Sequence, residues 1–215
     1  SYQLITDDDN KYYVLSNLIK SALLFTYVPL ASYVIYNAIV YDFWNDSLIK
    51  NAATLYAVPD TVSLFMVKKN AWSTIFHHIV VFLLYIGVTL SDFSNQTVSI
   101  GKLVVVYSVF SVFSYMVNFL LASRYIYIPQ RSKQILSQIS FYVYSGCCLV
   151  NWSWQVKYLY GLVLLTGIWW GIVLYVLLLC VLINDDIMLL KWIHYKCSKP
   201  TPPPSQVPDN NLKLE

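Results

Sequence analysis

Apolar residues in this chain come in long unbroken runs instead of alternating with polar ones. Six stretches, roughly 20–41, 48–67, 72–90, 99–122, 133–150 and 157–183, approach the length of about 20 apolar residues that carries a helix through a bilayer. The pattern predicts an all-α, polytopic membrane protein of about six transmembrane helices. Two stretches are weaker, "LIKNAATLYAVPDTVSLFMV" and "KQILSQISFYVYSGCCLV", because polar residues interrupt them. Their polar sides should therefore face protein and not lipid. The expected organisation is a polar segment over 1–11, a membrane domain over 12–195 and a Pro-rich cytosolic tail over 196–215 that stays disordered.

Composition supports the same picture. The 215 residues are 58% hydrophobic and 12% charged, whereas a soluble domain carries about 25% charged residues. Nineteen Tyr, 10 Phe and 7 Trp suit two membrane interfaces. No nucleic-acid partner is expected, and a homodimer is left open. The opening "SYQLITDDDNKYY" is acidic and polar, unlike a cleavable signal peptide. Cys147, Cys148 and Cys180 lie in apolar runs and read as small buried hydrophobes. Cys197 sits beside the membrane, where palmitoylation is conceivable.

Six spans put both termini on one side. Lys11, Lys20, Lys68, Lys69, Arg124, Arg131, Lys133, Lys191, Lys196, Lys199 and Lys213 fall there, against Lys50, Lys102 and Lys157 opposite. The positive-inside rule then makes both termini cytosolic. The N-x-S/T sequons at Asn45, Asn95 and Asn151 all fall in the opposite loops, where they could be glycosylated.

Asp60 is the one carboxylate that this reading places deep in a span, which by itself suggests function. Pro59 should free the carbonyl of Leu55 and bend its helix, and Tyr56 shares a face with Asp60. The turn "KKNA" makes spans 2 and 3 antiparallel neighbours. Counting about 1.5 Å per residue from that turn puts Asp60 level with His77 and His78, roughly 10 Å below the surface. Adjacent helical residues point about 100° apart, so one histidine should face Asp60 or a cavity and the other a different helix or polar group. A carboxylate beside an imidazole fixes its tautomer, as general-base and nucleophilic catalysis require. The alternative is an interhelical hydrogen bond without chemistry. Two histidines and one aspartate make a thin ligand set, so no metal is expected. Ser108, Ser111, Ser114 and Asn118 form a polar stripe that should face the bundle interior. Trp169 and Trp170 could line a lipid cavity or simply pack.

Tyr56 and Asp60, the short basic turn and then "STIFHH" together resemble the TLC domain, the membrane domain of ceramide synthases and their shorter relatives. The resemblance is firmest over 54–121. It implies a six- or seven-helix bundle around an elongated lipid cavity open to the cytosol, in the endoplasmic reticulum. It also implies acyl transfer from fatty acyl-CoA to a lipid amine or hydroxyl, with no other cofactor. His77 and His78 would be nucleophile or general base and Asp60 their partner, with Tyr56, Ser111, Ser114, Asn118, Trp169 and Trp170 contacting substrate. Asp92 is the single acid between 79 and 122, so the chain is more similar to the short, non-ceramide-synthase branch. The other function open at this stage is a non-catalytic lipid-binding, sensing or trafficking protein that regulates membrane lipid composition. Basic residues at the cytosolic mouth (Lys68, Lys69, Arg124, Arg131, Lys133) could attract fatty acyl-CoA or lipid phosphates by charge, although topology signalling alone accounts for them.

Overall fold

The computed structural model describes residues 7–66, 72–94, 99–167 and 169–198. These form helices α1 (Asp8–Val40), α2 (Asp46–Met66), α3 (Trp72–Leu90), α4 (Ile100–Ser111), α5 (Tyr115–Ala122), α6 (Gln130–Thr166) and α7 (Trp169–Ser198), with no strand among the described residues. A 3₁₀ turn, Val112–Ser114, joins α4 to α5. The "KKNA" turn, Asn95 and the Pro-rich tail lie outside the described residues.

Each helix starts and stops for local reasons. The side chain of Asp7 accepts a hydrogen bond from the Asp9 N–H, and Asp8 and Asp9 stand in the positive first turn. The helix therefore begins inside the segment expected to stay polar and separate. Gly167 ends α6 in the left-handed conformation, φ +60, that glycine adopts without cost. At the 3₁₀ turn the helical hydrogen bonding breaks, and the hydroxyl of Ser21 on α1 donates to the Tyr115 carbonyl at 2.8 Å.

Every residue from Gly101 to Tyr107 is buried, so α4 is the central helix, and α1, α2, α3, α6 and α7 pack around it. One apolar cluster surrounds α4 at the end holding the α1–α2 connection and Gly167. It includes Val34, Trp44, Val88, Leu103, Leu162 and Ile172. A second, with Val117, Leu120, Leu136 and Ile193, fills the end holding the chain termini. Large apolar side chains also cover the outside: Phe25 on α1, Phe65 on α2, Phe82 on α3, Leu149 on α6 and Leu177 on α7 are all exposed. Three helices, Asp8–Val40, Ile100–Ala122 as one bent rod and Trp170–Cys197, are long and apolar enough to cross a membrane.

Two boundaries differ from those predicted. The expected loop between spans 5 and 6 is the middle of α6, and the turn falls at Gly167 instead. Asn151 is thus a buried helical residue and not a loop sequon. Gln155 donates to its side chain at 3.2 Å and to the Leu103 carbonyl at 2.9 Å, while Tyr175 donates to Gln155 at 2.9 Å. Polar residues that looked like a loop are instead satisfied inside the bundle. The last span also does not stop at Ile183, because α7 continues through Asp185 and Asp186.

Candidate functional site

Between the two apolar clusters lies a layer of polar side chains to which all six helical rods contribute. Asp60 is 1% exposed and forms a short ion pair with Lys20 of α1. Its Oδ1 also lies 3.4 Å from His78 Nδ1, the closeness expected from counting residues on either side of the turn. The other ring nitrogen of His78 meets the Ser63 hydroxyl at 3.1 Å. His78 is therefore enclosed, between a carboxylate and a hydroxyl that sit one helical turn apart on α2.

His77 faces elsewhere. Its Nδ1 lies 3.0 Å from Asp185 Oδ2 on α7, at ion-pair distance, with the N–H not aimed along a hydrogen bond. Its ring lies edge-on to that of His78, with ring centres 5.6 Å apart, and the two side chains leave the helix about 100° apart. His77 also lines a narrow cleft with Tyr56, Val104, Tyr107, Ser108, Ser111 and Leu182. Asp186, next along α7, is taken up entirely by phenols: Tyr144 donates to one oxygen at 2.6 Å and Tyr107 to the other. That arrangement clamps α4, α6 and α7 together. Asp60 is thus not the only deep carboxylate.

The sequence-predicted residues separate into groups. Asp60, His77 and His78 come together, and Tyr56 and Ser111 line the cleft beside His77. Ser114 and Asn118 do not line it. The Asn118 amide donates to the Ser114 carbonyl at 3.0 Å, so their polarity is spent within their own stretch of chain. Trp170 stands at the Gly167 end and points outward, 87% exposed, so it lines no cavity; the side chain of Trp169 lies outside the described ones. Lys20 and Asp185 were missed as site residues. The sequence pattern reads Lys20 as a topology signal and places Asp185 past the end of its span. A lysine opening an apolar run is the available clue.

The cleft contains about 20 Å³ of free space, room for about one water. Across Tyr56 and Ser108 it adjoins an apolar seam between α1, α2, α3 and α4 of about 50 Å³, lined by Leu30, Val34, Ile49, Val88 and Val109 among others. Where the resemblance implies an elongated lipid cavity, the described residues leave this narrow apolar seam. Asp60 Oδ2, His77 Nδ1 and His78 Nδ1 are buried without hydrogen-bond partners among the described residues, and one donor atom from each of the three residues lies within 4.8 Å of the others. That set could approach a cation, but Lys20 already neutralises Asp60. The arrangement fits proton handling at an imidazole better than metal binding.

The long apolar helices, the outward-facing apolar side chains and the buried polar layer together mark a membrane protein. Compared with protein families, with curated proteins and with solved structures, the chain finds no match in any of the three.

Proposed function

We propose that the chain is a six-span membrane protein of the endoplasmic reticulum, both termini cytosolic, that transfers a fatty acyl group from acyl-CoA to a lipid amine or hydroxyl. The six-span arrangement is favoured by α2, α3 and α6. Each exposes large apolar side chains and buries polar ones such as Asp60, His78 and Ser140, although among the described residues only α1, the α4–α5 rod and α7 meet the length and hydropathy of a span unaided. The motif resembling the TLC domain points to the same chemistry.

The observation that carries the reading is His77, set between Asp185 and a cleft. In the proposed step, the second ring nitrogen of His77 takes the proton from the acceptor hydroxyl or amine. The freed electron pair attacks the thioester carbonyl, a C–O or C–N bond forms, and the C–S bond breaks. The departing thiolate recovers the proton from His77. Asp185 holds the ring and stabilises the imidazolium, while Tyr56 and Ser111 offer hydroxyl donors to the developing oxyanion. His78, Asp60 and Lys20 position the helices that carry these groups.

The test is turnover of acyl-CoA by protein in lipid nanodiscs, supplied with long-chain amine and lysolipid acceptors. Asp185→Asn should lower kcat by at least about tenfold with little change in KM, because an amide can orient the ring but cannot offset its charge. Undiminished kcat in that variant contradicts the assignment. The largely apolar lining of the seam supports a second reading, non-catalytic lipid handling. On that reading no acyl-CoA turns over with any acceptor, and Asp185→Asn changes only bound lipid.

A further inference from the structure

At the end of the bundle that holds the chain termini, a recess of about 360 Å³ is lined by Leu120, Arg124, Tyr125, Lys133, Trp192 and Lys196. Three of its six lining residues are cations and none is an acid. We propose that this recess binds the phosphomonoester headgroup of an anionic membrane lipid. The proposal takes from the preceding section only the placement of these helix ends at a bilayer surface, and it stands apart from the chemistry at His77.

The charges are held in place. The Arg124 guanidinium lies over the Trp192 indole at 4.1 Å from the ring centre, a cation–π contact that holds the charge at the recess, and a guanidinium can meet phosphate oxygens in pairs. The Lys196 ammonium approaches the same ring at 5.8 Å. The Lys133 ammonium donates to the Ser123 carbonyl at 3.0 Å, which keeps it at the recess. It stands in the first turn of α6, a helix N-terminus without a side-chain cap, so the helix dipole adds to the positive field. No carboxylate pairs with any of the three among the described residues. Three unpaired cations around one recess repel one another, and that repulsion favours an anion between them.

The lipid source follows from position. Arg124 follows α5 directly, Lys133 opens α6 and Lys196 is in the last turn of α7. All three sit at helix ends, level with headgroups if the helices cross a bilayer, and Leu120 and Trp192 supply an apolar wall beneath them. Basic pockets between transmembrane helices at the cytosolic face take phosphorylated headgroups by this geometry. A phosphomonoester carries nearly two charges, so three cations distinguish it from a singly charged phosphodiester lipid.

The experiment counts lipids retained by the purified full chain in native mass spectrometry, from micelles doped with phosphatidic acid, phosphatidylglycerol or phosphatidylcholine. Phosphatidic acid should be retained at least about fivefold over either other lipid. The double substitution Arg124→Gln/Lys133→Gln should remove that preference, and Lys191→Gln, an exposed cation outside the recess, should keep it. If Arg124→Gln/Lys133→Gln does not fold, Lys196→Gln alone should still lower the preference at least about twofold. Equal retention of the three lipids overturns the proposal, as does a preference that survives these substitutions. Millimolar inorganic phosphate is the competing probe. Displacement of phosphatidic acid from the wild-type chain by millimolar phosphate would place the source in soluble phosphate and overturn the lipid assignment.

Discussion

Lys20 and Asp60 meet in a medium where neither charge is tolerated alone, so each holds the other in place. Asp60 is 1% exposed, and the Lys20 ammonium reaches it across the α1–α2 interface. Removing one partner of a buried pair costs about 3–5 kcal/mol, because the remaining charge is stranded, while replacing both by apolar groups costs far less. Lys20→Met should therefore lower the melting temperature of the purified protein sharply, and adding Asp60→Leu should restore most of it. A Lys20→Met protein that melts like the wild type would show that the pair does not hold α1 to α2.

Helix α6 runs unbroken to its turn at Gly167. Ser153 lies 13 residues before Thr166, about 20 Å into the helix at about 1.5 Å per residue. In a background with the native cysteines replaced, Ser153→Cys should resist membrane-impermeant maleimide, while Thr166→Cys should react from the side opposite the termini. Reaction of both from that side would restore the loop between spans 5 and 6. Rapid reaction of Thr166→Cys from the cytosolic side would invert the orientation.

These same elements show what the residues alone disclosed. Runs of apolar residues were enough to find helices, and counting from the "KKNA" turn brought Asp60 level with His78. The stretch from Asn151 to Gln155 misled because its polar groups pair with Leu103 and Tyr175, partners more than 15 residues away in the chain that no local pattern displays. Asp185 and Asp186 misled for the same reason. Two adjacent acids read as the end of a span until His77, Tyr107 and Tyr144 are seen to satisfy them. Apolar runs located the helices, three of them long and apolar enough to cross a membrane, but the pairing across helices had to come from the fold.

At the scale of the whole molecule, two apolar clusters grip the six rods on either side of one polar layer, and that layer gives adjacent histidines different surroundings. His78 is enclosed by Asp60 and Ser63, so it contributes to holding α2 against α3. His77 reaches the cleft and the partly exposed Asp185, so on the proposed function it is the ring that meets a substrate. A protein with both rings in catalysis would lose turnover on either substitution with its stability intact, and one with neither would lose only stability. The measurement that tests this division most directly is a side-by-side determination of acyl transfer and melting temperature for His77→Ala and His78→Ala in nanodiscs. The expected result is loss of turnover by at least about a hundredfold in His77→Ala, a magnitude usual for a missing general base, with its melting temperature nearly unchanged. His78→Ala should melt several degrees lower, from a lost buried partner worth about 1–3 kcal/mol, yet retain measurable turnover below that temperature. Turnover that survives in His77→Ala while His78→Ala is inactive but fully stable would contradict the assignment of the two rings.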